Sequence, residues 1–430
     1  MRFRGSLMVG CGLLLANSVF AVPATKPGPV QLELTHRLDE ERAERLEPLI
    51  DEFNKKQNDV HVTLVRRGDS FDPKQLNLVT RDEHAKLLDT KAKFKPLSEV
   101  MRQAKEPLDA SKLSPELKEG LSDAKGQLIA LPVAFSTPVL YINKDLFRKA
   151  GLDPETPPRT WAEAQVVAGK LSDAGSRCPF TTSWPVEVFI DNVSALDGAP
   201  IGDAKGRLAF NGLPQVKHIA MMATWYKASY FSYSGRRDEA DRRFASGECA
   251  MLTSSSALYP ALSDKKLNIG VSPLPYHDDV YGAPQRTLAD GASLWVGEGL
   301  KPAEVKAVAK FINYVMAPDI QVGLTAAGGF LPMTPAARSA ATSKLLAENA
   351  AGLKVALAQL QGKGAVPTIR VAQNEKLRLI AEEELEAVWA NRKPAKEALD
   401  EAVARGNQVL DTASAKVSTT TKPKAKRGKS

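Results

Sequence analysis

Two short apolar alternations, Val30-Leu32-Leu34 and Val60-Val62-Leu64, bracket a charged stretch in which Leu38, Leu46, Leu49, Ile50 and Phe53 recur at roughly helical spacing. Alternation puts successive side chains on opposite faces of a strand, whereas a spacing of three to four lines one face of a helix. The pattern therefore predicts strand, helix and strand, the opening of an α/β unit with a parallel sheet. Pro48 lies inside the helical stretch and predicts a kink there.

Residues 73 to 126 are highly charged, with helical stretches and little strand pattern before Leu128-Ile129-Ala130-Leu131. The apolar run Val139-Leu140-Tyr141-Ile142 predicts a buried strand. A helix follows from Asn143-Lys144-Asp145 to Ala150 and stops at Gly151. Pro157-Pro158 marks a turn. Thr160 caps a helix starting at Trp161 and ending near Gly175, with Glu163 at the capping-box position. Further strands fit 249–253, 269–271 and 294–296, and further helices fit 303–316 and about 375–390. There is no internal repeat. At 430 residues the chain exceeds one compact core. The expectation is an α/β fold of two lobes, each with a parallel or mixed sheet, joined by several crossings at a hinge.

The first residues change the picture of where the chain works. Arg2 and Arg4 precede an apolar run from Leu7 through Leu15, and Val19-Phe20-Ala21 fits a cleavage site after Ala21. That run is too short for a bilayer, which needs roughly 20 residues. The sequence predicts export with a cleaved signal peptide, residues 1–21, and a periplasmic mature protein. Cys11 follows Met8-Val9-Gly10, a poor lipid-attachment box. Cleavage leaves Cys178 and Cys249, which in an oxidising compartment predict a disulfide, the alternative being two separate buried thiols.

The formal charge of +8 could suggest a nucleic-acid or membrane partner. Much of it sits in Lys416, Lys422, Lys424, Lys426, Arg427 and Lys429, among residues with almost nothing apolar to bury, so 413–430 reads as a disordered, solvated tail. Gly428-Lys429-Ser430 resembles the end of a phosphate-binding loop but has Pro423 where the upstream glycine belongs.

No catalytic constellation emerges. The histidines at 36, 61, 84, 218 and 277 are dispersed, and none forms a His-Glu-x-x-His zinc arrangement. Gly291-Ala292-Ser293-Leu294-Trp295 lacks the final glycine of a nucleophile elbow. Glu382, Glu383, Glu384 and Glu386 cluster on a predicted helix, where they read mostly as a solvated face. A binding protein without cofactor or metal is the expectation, ahead of an enzyme.

From Leu128 onward an ordered set of stretches carries a resemblance. Ser136-Thr137-Pro138-Val139-Leu140-Tyr141, Asn143-Lys144-Asp145 and Lys149-Ala150-Gly151-Leu152-Asp153-Pro154 are similar to the family 1 extracellular solute-binding proteins of ABC importers. Gln215 to Met221, Phe231-Ser232-Tyr233, Gly235 to Glu239, Gly247 to Met251, Gly291 to Val296, Glu383 to Trp389 and Arg405-Gly406-Asn407-Gln408 narrow it to the branch that binds glycerol phosphates. The resemblance implies a periplasmic receptor that takes sn-glycerol 3-phosphate or a glycerophosphodiester between its lobes. Its partners would be the ligand and an inner-membrane permease with its ATPase, with no nucleic acid, and the receptor would act as a monomer. The expected lobes are 22–135 with about 268–318, and 136–267 with about 319–412.

Carried over position by position, the resemblance implies ligand contacts at Ser136, near the interlobe crossing, and at Ser255, at a strand end. Either could instead be a cap or turn, as could Ser254 and Ser256. Gly291 matches a glycine that lets backbone approach the ligand. Arg378 matches the phosphate-binding arginine, with Arg370 in reserve, the bland alternative being an exposed helix charge. Trp184 matches the first of two tryptophans in the cleft, or else is core like Trp161, Trp225, Trp295 and Trp389.

Four positions depart from the family. The second tryptophan is Glu187, a carboxylate that would repel phosphate. The tyrosine of a Gly-Tyr-Leu-Pro turn is Phe330, which keeps the ring and loses the hydroxyl. The first-lobe tyrosine region reads Gly68-Asp69-Ser70-Phe71, where Phe71 is the partial substitute. The stretch that should carry a glutamate is deleted between Val79 and Lys93, and no residue replaces that glutamate. Two other readings stay open: a sugar receptor of the same fold, and an envelope protein that kept the scaffold and lost its ligand.

Overall fold

The computed structural model describes residues 28–38, 40–68, 72–80, 83, 94–118, 121–123, 125–265, 267–345, 350–361, 370–372 and 374–420. Ser70, Phe71, the signal segment and the last ten residues lie outside them. Among the described residues eleven strands form two sheets. They are β1 (Val30–His36), β2 (Val60–Arg66), β3 (Leu76–Val79), β4 (Phe94–Lys95), β5 (Leu131–Ser136), β6 (Pro138–Asn143), β7 (Phe180–Thr182), β8 (Phe231–Ser232), β9 (Met251–Ser255), β10 (Ile269–Pro273) and β11 (Asp290–Gly297).

The first sheet runs β2-β1-β3-β11-β4, with β5 also paired to β11. The opening alternations are parallel neighbours, Leu32 opposite Val62, joined by the helix Glu40–Lys56, which contains Pro48. Strand β11 is antiparallel to both β3 and β5, so β1, β2, β3 and β5 all end on one edge, where β11 begins. The second sheet runs β10-β6-β9-β7-β8. There β7, β8 and β9 are parallel and β6 is antiparallel to β9, so their carboxyl ends share an edge with the start of β6. Ser136 ends β5 and Pro138 begins β6. One residue, Thr137, therefore carries the chain from the edge of one sheet to the edge of the other, and the two edges face a common cleft.

Each sheet has its own apolar core, one including Leu32, Leu78, Val296 and Phe311, the other Ile142, Phe180, Trp225 and Leu385. Two segments lie on the other side from the sequence expectation. Strand β10 pairs with β6 in the second sheet, Ile269 opposite Asn143. Leu324, Leu331, Met333 and Ala341 fill the first core rather than the second. Apolar periodicity identifies an element but not its pairing partner, which is why the boundaries shifted.

Local signals fared better. The Thr160 capping box is formed: its hydroxyl accepts from Glu163 N (3.1 Å) and Glu163 accepts from Thr160 N (3.1 Å). Gly151, at φ +71°, follows the helix Lys144–Lys149. The expected helices appear as Pro302–Met316 and Glu375–Trp389. The expected tail differs, because the helix Ala395–Thr420 continues through its first eight residues. Cys178 and Cys249 are bonded, just ahead of the neighbouring strands β7 and β9.

The chain passes between the cores at three points: through Thr137, through 274–289, and between Leu360 and Val371. Buried Gln359 ties them together. Its Nε2 donates to Pro138 O (2.6 Å), its Oε1 accepts from Leu274 N (3.0 Å), and its carbonyl accepts from Thr287 N (3.0 Å). Thr137 Oγ1 lies 2.8 Å from Thr287 Oγ1 and 3.0 Å from Leu288 O. The middle crossing is also fastened by His277, whose Nε2 is 3.1 Å from Nδ1 of buried His218. Burial pushes both imidazoles down, His277 to about 4, so the pair is neutral near pH 7.

Candidate functional site

At the cleft edges two of the expected residues touch. Ser255 Oγ donates to Ser136 Oγ at 2.7 Å, joining the end of β9 to the end of β5 across the two sheets. Ser255 also accepts from Ala257 N (3.1 Å) and so caps the short helix after β9. The bland reading of Ser255 as a cap is therefore true as well, and both hydroxyls sit on the cleft edge.

Gly291 stands opposite Phe135 on β5. A Cβ there would lie 2.0 Å from Ala134 O and 2.7 Å from Phe135 Cα. The glycine is required by close packing of β5 on β11, beside an irregularity in their register. Phe330 also differs from expectation. Its ring is buried in the first core, while Leu331 N donates to Phe135 O (2.8 Å) and Gly329 packs against Ala257. The turn braces the cleft edge and turns its ring inward.

Behind Ser255 lies a hydroxyl network that sequence reading missed. Buried Asp241 accepts from Ser254 Oγ (2.7 Å) and Ser183 Oγ (2.6 Å) on the same carboxylate oxygen. Ser183 leads directly to Trp184, which adopts φ +54°, a region bulky residues rarely occupy. Its amide donates to Arg237 O (2.8 Å), and the Arg237 guanidinium lies 5.3 Å from the Trp184 ring centre. A π-helical turn, Glu187–Asn192, follows. A left-handed tryptophan and a π-turn in succession are features that concentrate at functional sites. Trp184 is half-buried at the carboxyl end of β7, on the cleft edge.

The same π-turn reaches the hinge. Asp191 accepts from Val371 N (3.0 Å) and Ala372 N (2.9 Å), and Asn192 Oδ1 accepts from Leu288 N (2.9 Å). Burial raises the Asp191 carboxyl to about 7 against the pull of those amides and of Arg370. Arg370 itself donates to Ala289 O at 2.6 Å, so the reserve candidate links two crossings.

Arg378 is fully buried on Glu375–Trp389, a helix capped by Asn374. It is not an exposed helix charge: its Nη1 donates to Glu382 at 2.5 Å, one turn on. Burial raises the Glu382 carboxyl, while Arg378, Arg237 and Arg236 pull it down. Arg236 grips Glu386 through two nitrogens (2.8 and 2.6 Å), and Tyr233 donates to the same carboxylate (2.8 Å). Glu384 is buried and pairs with Lys393 and Arg405. The expectation of a solvated acidic face fails at Glu382 and Glu384. Besides nearby Arg378 and Lys393, their counter-charges come from Arg236, Arg237 and Arg405, remote in sequence. Arg236, Arg237 and Arg378 thus gather around Glu382, with the Arg237 guanidinium against the Trp184 ring.

In the first sheet Glu83 lies just beyond β3, its carboxylate held by Arg67 (2.5 Å) and by Thr80 N (3.0 Å). A buried carboxylate therefore exists in the shortened stretch where none was expected.

Two α/β lobes, three crossings and polar edges across a cleft define the class of two-lobed ligand-binding proteins. The chain belongs to the bacterial extracellular solute-binding protein family, whose profile matches residues 49–352. Curated relatives include the sn-glycerol-3-phosphate-binding periplasmic protein UgpB of Pectobacterium atrosepticum, 35% identical over 87% of this chain and 90% of that one. UgpB of Escherichia coli K12 is 38% identical over 74% of this chain and 75% of its own. Among solved structures, maltose-bound MalE3 of T. maritima has a TM-score of 0.71 at 19% identity, covering 88% of this chain and 100% of that one. UgpB of Mycobacterium tuberculosis in complex with glycerophosphocholine has a TM-score of 0.70 at 19% identity, covering 90% and 99%.

Proposed function

We propose that the chain is a periplasmic receptor that captures sn-glycerol 3-phosphate or a glycerophosphodiester between its two sheets. It delivers the ligand, unchanged and as a monomer, to an ABC permease and its ATPase. The observation that carries this is identity of 35–38% over most of the chain to receptors named for sn-glycerol 3-phosphate. The cleft chemistry supports it. Ser136 and Ser255 supply hydroxyls from opposite sheets, and Arg237, against the Trp184 ring, is grouped with Arg236 and Arg378 around Glu382. Phosphate oxygens form short, charge-assisted hydrogen bonds with such groups. A ligand touching both edges stabilises the closed arrangement by its differential affinity for it, and the permease reads closure.

Calorimetry and thermal shift with sn-glycerol 3-phosphate, glycerophosphocholine, inorganic phosphate and maltose test this. A ligand at a hundredfold excess over Kd stabilises the fold by about 2.7 kcal/mol. At least one glycerophosphate compound should bind and raise Tm, and be recovered intact afterwards. Binding of maltose alone would make the chain a sugar receptor, and silence toward all four would make it a scaffold without this ligand.

A further inference from the structure

The crossing that leads to Arg378 is pinned where it lands by one side chain. The chain enters the second core at Val371 and Ala372, and Asn374 N donates to Val371 O (3.3 Å). Asn374 then caps the helix Glu375–Trp389, and Arg378 N donates to its carbonyl at 2.8 Å. The successive amides of Val371 and Ala372 meet different oxygens of Asp191, at 3.0 and 2.9 Å. Asp191 is 2% exposed and belongs to the π-turn Glu187–Asn192, which Leu288 N ties to the middle crossing through Asn192 (2.9 Å).

An ionised carboxylate accepts with both oxygens and donates with neither, which is what two converging N–H groups need. A proton turns one oxygen into a donor facing an N–H, and a buried amide that loses its acceptor is costly. The surroundings bring that proton within reach near neutral pH. Burial raises the carboxyl to about 7, the two amides and Arg370 of the third crossing pull it down, and Glu187 of its own turn pushes it up. The helix Leu213–Lys227 packs on the same turn and sets His218 against Phe189, 5.1 Å between ring centres. Burial holds that imidazole neutral.

We infer that Asp191 is a positioning residue for ligand capture: charged, it holds both amides and fixes the start of the Arg378 helix, and protonated, it lets that start loosen and weakens binding. This rests on the receptor function proposed above, with Arg378 as the phosphate contact.

Calorimetry of the full chain from pH 5.5 to 8, with glycerophosphocholine and sn-glycerol 3-phosphate as probes, tests it. Wild-type affinity should rise about tenfold across this range, the scale of regaining a hydrogen bond to a charged group. Asp191→Asn should bind about tenfold more weakly at pH 8 and lose that rise, the comparison cancelling any titration of the ligand itself. Asp197→Asn is the control. That carboxyl, also raised to about 7 by burial, has its backbone partner in His277 of the middle crossing, so the rise should remain. Stability should move the opposite way. A carboxyl raised in the folded state favours the fold in acid, so the wild type should lose stability relative to Asp191→Asn as pH rises from 5.5 to 8. A variant loosened in its packing alone would keep a constant deficit. A flat wild-type profile with glycerophosphocholine, which has no group titrating in this range, overturns the inference whether or not the variant folds, and leaves the receptor reading standing. So does a rise that survives in Asp191→Asn. Binding of neither probe overturns both.

Discussion

Arg378→Ala loses about 3–5 kcal/mol of folding stability and glycerophosphate binding together, because it leaves the Glu382 carboxylate buried without its nearest counter-charge. Arg236 remains 3.8 Å from that carboxylate, which puts the loss toward the lower end. The pH dependence separates this cause from simple loss of packing. Glu382 already titrates above its ordinary range because it is buried, and removing Arg378 raises it further. A carboxyl raised in the folded state binds more protons folded than unfolded, so acid favours the folded form. The variant's deficit against wild type should therefore shrink from pH 8 to pH 5. A second change, Arg378→Ala with Glu382→Gln, should recover part of the stability at pH 8 without restoring binding. Denaturant titration at both pH values checks the first part and calorimetry the second. A single variant as stable as wild type, or one with the same deficit at both pH values, would contradict this role for the pair.

Replacing both cysteines, Cys178→Ala with Cys249→Ala, costs about 4 kcal/mol on the loop-closure relation for the 71 residues that the bond spans. The consequence reaches the site. The bond sits at the start of β7 and β9, whose far ends carry Ser183-Trp184 and Ser254-Ser255. A looser start lets those strands slide, and register is what sets the two serines and Trp184 on the cleft edge. Ligand affinity should fall along with stability. Both sulfurs belong to buried residues, so a reductant added to the native protein should have no effect, whereas one added with denaturant should lower the refolding midpoint. A double variant with wild-type melting and affinity would refute this.

Sequence reading recovered what local pattern determines. Strand alternation placed β1 and β2, the Thr160–Glu163 pair placed a helix start, and the apolar run 139–142 became the two-faced buried strand β6. It also brought out Ser136 and Ser255, which proved to be in contact. What it missed depends on partners far along the chain. Glu382 is on the polar face of its own helix by spacing, and is buried because arginines near 236 and at 378 meet it. Gln359 carries no signal of its kind in the sequence, yet from the start of the third crossing it bonds to the other two. Gly291 was singled out for lacking a side chain, and in the structure that lack admits the backbone of Ala134 and Phe135. The positive φ of Trp184 has no sequence signature at all, since bulky residues there are uncommon and only the surrounding contacts enforce it.

Small-angle scattering of the full chain, with and without saturating glycerophosphocholine, tests most directly whether the two lobes close on their ligand. The radius of gyration should fall when ligand is added and stay unchanged with a compound that calorimetry finds not to bind. If it is the same with and without ligand while calorimetry records binding, the lobes do not move around the three tied crossings, and capture by closure is wrong.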